Sequence, residues 1–193
     1  MIKEYIEFLI KNQLWDEVQM NKSRRLDDSS LAAFAQAICE QKPKRYLEIG
    51  RSKGFSMGLV KFLSPDTEIV SMDIVPNDRI FGAEKVAQQV AALFDNITLI
   101  NGTAEKPPCL LLDNELGTFD FILVDGDHSY EGAKLDLEQS LKVVNPNTSI
   151  FFDNMYLHCG NAWKELEDSR IEFKETNEEY GIIRIKECIT YEI

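Results

Sequence analysis

Histidine, cysteine and basic side chains are scarce in this chain, and each shortage removes a class of function. Only 4 cysteines occur among 193 residues, at Cys39, Cys109, Cys159 and Cys188. None stands in a Cys-x-x-Cys pair, so neither a zinc ribbon nor a dithiol redox centre is encoded, and free thiols in a reducing compartment are expected. Lysine and arginine number 21 against 33 acids, a formal charge of −12. An exposed polyphosphate would be repelled at long range, which argues against nucleic acid as a partner unless a local basic patch offsets it. Long apolar runs are missing too, and Lys3, Glu4 and Glu7 interrupt the first segment where a signal peptide would be apolar. The expectation is a cytoplasmic, unprocessed protein with no membrane partner.

Two phosphate-binding signatures are also missing. No Gly-x-Gly-x-x-Gly follows a strand, and no glycine-rich loop ends in Gly-Lys-Ser/Thr, so pyrophosphate binding and a dehydrogenase reading are poorly supported. Internal repeats, low-complexity tracts and linkers are absent as well, which makes residues 1–193 a single domain. What the chain does have is 44% apolar and 28% charged residues. That is enough at this length to bury one core without disulfides or a structural metal.

Ile2, Tyr5, Ile6, Leu9 and Ile10 recur at helical spacing, so an amphipathic helix opens the chain and covers a core edge or caps a pocket. Ser29 or Ser30 suits the N-cap of a second helix whose buried stripe is Leu31, Phe34, Ala35 and Ile38, and Pro43 ends it. Residues 1–42 thus form an N-terminal helical cap region. From Lys44 onward short apolar runs alternate with helical stretches, the pattern of βαβ units around a mostly parallel sheet. Strands are expected at 45–49, 68–73, 97–100, 119–124 and 148–152, with a helix from Asn161 to Ser169 after the fifth. Two tail strands, Ile171–Lys174 and Gly181–Lys186, flank a turn at Asn177-Glu178-Glu179 and predict an antiparallel hairpin.

Chemistry gathers where Phe121–Val124 breaks into Asp125-Gly126-Asp127-His128, as a buried strand does when its carboxyl end opens into a site. The first strand ends in Glu48-Ile49-Gly50-Arg51-Ser52-Lys53-Gly54, whose glycines suit either a tight turn or a ligand loop. The second ends in Asp73, placed to accept hydrogen bonds from a ribose or to cap a turn. The third ends in Asn101-Gly102-Thr103-Ala104, a small-residue loop fit to lie against a flat base or simply to turn.

These motifs resemble the class I S-adenosylmethionine-dependent methyltransferases from about Tyr46 to the C-terminus. Val124 to Asp136, reading Val-Asp-Gly-Asp-His-Ser-Tyr-Glu-Gly-Ala-Lys-Leu-Asp, is similar to the branch with macrolide sugar O-methyltransferases and cephalosporin-hydroxylase-like proteins. The resemblance implies an α/β, Rossmann-like fold with seven strands in the order 3-2-1-4-5-7-6, strand 7 antiparallel, and helices on both faces. It implies S-adenosyl-L-methionine as cofactor, bound by Glu48, Gly50, Ser52, Gly54, Asp73, Gly102, Thr103, Ala104 and Asp125. It also implies Mg²⁺ or another divalent cation on Asp125, Asp153 and Asn154, a hard-oxygen set that leaves about three octahedral positions open. His128 stands where the macrolide sugar enzymes have a histidine and the catechol enzymes a lysine, and becomes the base.

The activity so implied is metal-dependent O-methylation of a small hydroxylated substrate, a sugar or a catechol-like ring, with a homo-oligomer allowed. Two alternatives stay open: a metal-independent methyltransferase, and a non-catalytic cofactor-binding or interaction module. Asp127 is either a second-layer partner or solvated; Asp136 is expected to face away or to orient a loop. Ala133, Leu137, Leu141 and Val144 form the stripe of its helix, and Trp163 is assigned to the core. Tyr130 is expected to support the site by packing, and His158 to line the pocket or stand exposed. Asn145-Pro146-Asn147-Thr148 departs from the family's Gly-Gly turn, and only about forty residues precede the first strand.

Overall fold

The central strand, β1 (Arg45–Ile49), has four of its five residues buried and is hydrogen-bonded on both sides. In the computed structural model, residues 1–14, 29–75, 82–103, 106–112 and 116–186 are described. β2 (Glu68–Ile74) and β3 (Ile97–Gly102) extend the sheet on one side of β1, and β4 (Phe119–Val124) and β5 (Val144–Asp153) on the other. All four of these pairings are parallel. The hairpin of β6 (Ile171–Thr176) and β7 (Tyr180–Ile185) then joins with β7 antiparallel to β5, giving the order 3-2-1-4-5-7-6. This is the fold class expected.

Period-two alternation sorts the strand residues onto two buried faces. Leu47, Ile122, Ile150 and Phe152 pack under α5 (Tyr130–Ser140) and α6 (Cys159–Glu165). Tyr46, Phe121 and Phe151 face the other layer, of α1 (Ile2–Lys11), α2 (Ser29–Gln41), α3 (Phe55–Leu63) and α4 (Ala83–Ala91). Both faces are covered at the sheet's centre, which is why Phe121–Val124 and Ile150–Phe152 read as apolar runs. Among the described residues no helix is long and apolar enough to cross a membrane.

Several local expectations need correction. Ile10 is 55% exposed, so the stripe of α1 is narrower than drawn; Tyr5, Ile6 and Leu9 carry it as core cover. Tyr5 meets Phe55 and Phe62 at 5.3 and 5.5 Å between ring centroids, and its hydroxyl donates to the Phe55 carbonyl at 3.2 Å. α6 begins at Cys159 and stops at Glu165, four residues short of Ser169, where the chain turns toward β6. Val144 opens β5 and does not continue the helical stripe, because α5 already ends at Ser140. Thr148, through Oγ1, donates to the Phe119 carbonyl at 2.7 Å and accepts from Asn145 N at 2.8 Å. That clasp stands where the family's Gly-Gly turn is expected, with Asn147 at φ 69°.

The tail hairpin turns on Asn177, whose Oδ1 accepts from Glu179 N at 2.8 Å and from Tyr180 N at 2.9 Å. Gly181 gives up its side chain for Trp163, since a Cβ there would lie 2.4 Å from the indole. Trp163 is 1% exposed, as a core assignment requires.

Candidate active site

The carboxyl ends of β1, β4 and β5 meet around one small region, and glycine makes the meeting close. Gly50 has φ +98°, and a Cβ on it would stand 1.9 Å from the Asp125 carbonyl oxygen. The β1 loop and the end of β4 thus touch backbone to backbone, with Asp125 N donating to the Ile49 carbonyl at 2.9 Å. Ser52 and Gly54 also have positive φ, 49° and +81°, and Gly54 starts α3. Ser52 N donates to Asp73 Oδ2 at 2.5 Å and Ile74 N to Oδ1 at 2.7 Å. Each carboxylate oxygen still has a lone pair free for a further donor. Burial, opposed by these bonds and by Arg51, raises the Asp73 pKa.

Glu48 lies beneath this loop and not on its open side. It is fully buried, and its carboxylate accepts from Ser56, Ser71 and Tyr46 hydroxyls. Burial pushes its pKa up from 4.5 to about 7, against the lowering pull of the two serines and Arg51. A raised folded-state pKa means stability present below the unfolded value and lost as pH climbs through 4.5 to 7. The full loss is about 3 kcal/mol. Glu48→Gln is neutral at every pH, so its unfolding free energy should fall by roughly 2 to 3 kcal/mol less than the wild type's between pH 5 and pH 8. Parallel curves in urea titrations at the two pH values would refute a buried, titrating Glu48.

Arg51 was not foreseen as a site-shaping residue, because a charged loop residue ordinarily reads as solvated. It is 2% exposed and runs under the ends of β2 and β3. Nη1 donates to the Ser71 carbonyl at 2.9 Å, while Nη2 donates to Asn101 Oδ1 at 2.8 Å and pairs with Glu84. Its guanidinium thereby ties α4 and β3 to the β1 loop. At the end of β3, a Cβ on Gly102 would meet Pro108 N at 2.6 Å, so chain packing accounts for this glycine. Thr103 is exposed and closes a turn with Lys106, and Ala104 lies outside the described residues.

Beyond β4 the acids separate. Asp127 turns away into the start of α5, where its Oδ1 accepts from Ser129 N at 2.8 Å and Ser129 Oγ caps Gly132 N at 3.1 Å. Asp136 faces inward, 5% exposed, contrary to one expectation and in keeping with the other. It sits under Gly126, accepts from Asp127 N at 3.4 Å, and takes a hydrogen bond from the Cys109 thiol. Burial raises its pKa to about 6. Tyr130 donates to Glu165 at 2.5 Å and links α5 to α6.

The remaining residues converge on one atom. Asn154 is 2% exposed at φ 67°, a left-handed conformation that asparagine tolerates better than most residues. Its Nδ2 lies 2.7 Å from Asp125 Oδ1, 3.2 Å from Asp153 Oδ2 and 3.3 Å from His128 Nε2. His128 Nε2 is 3.4 Å from Asp125 Oδ1, and its side chain is 40% exposed. Tyr156 donates to Asn154 Oδ1 at 3.1 Å from the open side, and Ser30 Oγ donates to Asp153 Oδ1 at 2.7 Å. His158 is exposed at the start of α6 and does not join the group. Among the described residues no three His, Cys, Asp or Glu side chains form a metal cage by themselves.

The sequence model of a family described as a methyltransferase domain matches residues 47–155. A comparison with curated proteins gave no match. Among solved structures, an O-methyltransferase from Bacillus cereus in complex with S-adenosylhomocysteine aligns at TM-score 0.69 and 17% identity, over 95% of this chain and 91% of that one. The S-adenosylhomocysteine-bound Podospora anserina methyltransferase PaMTH1 aligns at 0.64 and 22%, over 96% and 94%. The O-methyltransferase TomG from Streptomyces achromogenes, involved in tomaymycin synthesis and solved with S-adenosylmethionine, aligns at 0.63 and 14%, over 95% and 88%. The likeness to these structures is one of fold.

Proposed function

This chain belongs to the methyltransferase-domain family, and from that premise we propose that it transfers a methyl group from S-adenosylmethionine to a hydroxyl of a small sugar or catechol-like molecule with the help of a divalent cation. One observation carries the proposal: Asp125 Oδ1, Asp153 Oδ2 and His128 Nε2 all face the Asn154 carboxamide at the ends of β4 and β5, beside the Gly50 loop. A carboxamide turned over about its last bond offers oxygen where it had offered N–H. The donor set then becomes two carboxylate oxygens and one amide oxygen, which suits Mg²⁺. When bound, such a cation lowers the pKa of an acceptor hydroxyl and orients it.

The chain's own residues supply the rest. Asp73 would hold the ribose hydroxyls of the cofactor, and the absence of a Cβ at Gly50 and Gly54 would let it approach the β1 loop closely. His128 takes the acceptor's proton at Nε2. S-adenosylmethionine, when bound, would supply the methyl carbon to the freed oxygen, with the electron pair of the broken carbon–sulfur bond going to sulfur and S-adenosylhomocysteine as the leaving group. Most of the acceleration comes from alignment of oxygen, carbon and sulfur.

A metal-free methyltransferase is the second reading, favoured by the amide nitrogen, not the oxygen, facing Asp125 in this structure. Calorimetry with S-adenosylhomocysteine, followed by methyl-transfer assays in EDTA and after Mg²⁺ is restored, separates the readings. Binding, loss in EDTA and recovery with Mg²⁺ are expected. Full activity in EDTA would leave the metal-free enzyme, and no binding would leave a non-catalytic interaction module.

A further inference from the structure

The N-terminal helix α2 reaches the site through its first turn, which neither the family match at 47–155 nor the strand-end residues include. Ser30 is 7% exposed, and its hydroxyl donates to Asp153 Oδ1 at 2.7 Å across 123 residues of chain. The other oxygen of that carboxylate, Oδ2, is the one that faces Asn154. A carboxylate with one oxygen held has its plane and rotamer set, so the other oxygen is aimed toward Asn154. Next to it Ser29 bonds Glu179, and the Glu179 carbonyl accepts from Met155 N at 2.9 Å. The first turn of α2 is therefore fastened to Asp153 itself and to the β6–β7 turn, whose Glu179 carbonyl holds Met155 just after the pair.

We infer that Ser30 is a positioning residue for the cation site: it holds Asp153 so that Oδ2 enters the coordination sphere already aimed. The inference rests on the metal-dependent reading given above. It assigns the region before β1 a part in assembling the site as well as in covering the core.

Mn²⁺ titration followed by electron paramagnetic resonance, with S-adenosylhomocysteine present, tests it on the full chain. Ser30→Ala is expected to weaken Mn²⁺ binding about tenfold, the lower end of what loss of a ligand's supporting partner costs. Ser30→Thr, which keeps the hydroxyl, should restore most of the affinity. The urea midpoint in EDTA should be nearly the same for Ser30→Ala and wild type, a result that a merely structural serine would not give. Ser30→Cys, with the same shape and a weaker donor, supplies the same comparison if the alanine variant does not fold. Equal Mn²⁺ affinity in wild type, Ser30→Ala and Ser30→Cys would overturn the inference alone. No Mn²⁺ binding by the wild type would overturn the metal reading, and the inference with it.

Discussion

Gly50→Ala is expected to cost about 2 to 6 kcal/mol of stability and to remove S-adenosylhomocysteine binding. Two penalties combine. A Cβ would lie 1.9 Å from the Asp125 carbonyl oxygen, 2.4 Å from its carbon and 2.7 Å from Gly126 N, all of them backbone atoms with no flexible end to yield. The residue's φ of +98° is also a conformation that L side chains rarely adopt. Overpacking against fixed atoms costs about 1 to 3 kcal/mol, and backbone strain adds a similar amount. Relief requires Asp125-Gly126 to move away from β1, which draws the Asp125 carboxylate from its 2.7 Å contact with Asn154. Gly82→Ala is the control, since its φ is +75° but nothing lies within 4 Å. It should lose only the strain, about 1 kcal/mol, and keep the cofactor. Equal losses in the two variants, measured by chemical denaturation and calorimetry, would remove the steric argument.

The strands were legible in the sequence because both faces of the sheet are covered at its centre, so apolar runs such as Phe121–Val124 needed no side to be guessed. Their ends, and with them the acids, followed from where those runs broke. Buried polar side chains were less legible, since a single charged residue in a polar neighbourhood carries no sign of what stands above it. Asp136 is an instance: expected to face away or to orient a loop, it lies buried on the inner face of α5 with Ala133 and Ser140. Arg51 is another, because its partners Glu84 and Asn101 come from other elements.

Ser30 shows the same limit differently. A serine before an apolar stripe reads as an N-cap, yet the helix already includes it, and its hydroxyl serves a residue on β5. Spacing along one helix reports which residues are inside, whereas the identity of a partner 123 residues away is set by the topology that brings β5 under α2. Asp127 and Asp125 differ for a local reason. The chain turns between them at Gly126, so one side chain stays with the strand end and the other is taken up by the start of α5.

His128→Ala should lower kcat for O-methylation by about 10² to 10⁴, the usual contribution of a positioned general base. Asp153→Ala should lower it as steeply for a different reason, and the two variants can be told apart. The imidazole Nε2 stands 3.4 Å from Asp125 Oδ1 and 3.3 Å from Asn154 Nδ2, beside the group without supplying one of its oxygens. Its loss should therefore leave Mn²⁺ affinity within a fewfold of wild type, while loss of the Asp153 carboxylate should abolish binding. The pH profile gives the sign. A base must be unprotonated to act, so wild-type kcat/KM should fall on the acid side of its pH profile, and His128→Ala should lack that limb. S-adenosylhomocysteine release with 3,4-dihydroxybenzoate or a methyl glycoside as acceptor measures the two rate quantities, and electron paramagnetic resonance the Mn²⁺ affinity. A His128→Ala enzyme within threefold of wild type, with the acid limb intact, would return the base assignment to a water or to the substrate's own acidity. An Asp153→Ala enzyme that keeps both rate and Mn²⁺ affinity would leave the Asp125–Asn154 contact as a structural hydrogen bond.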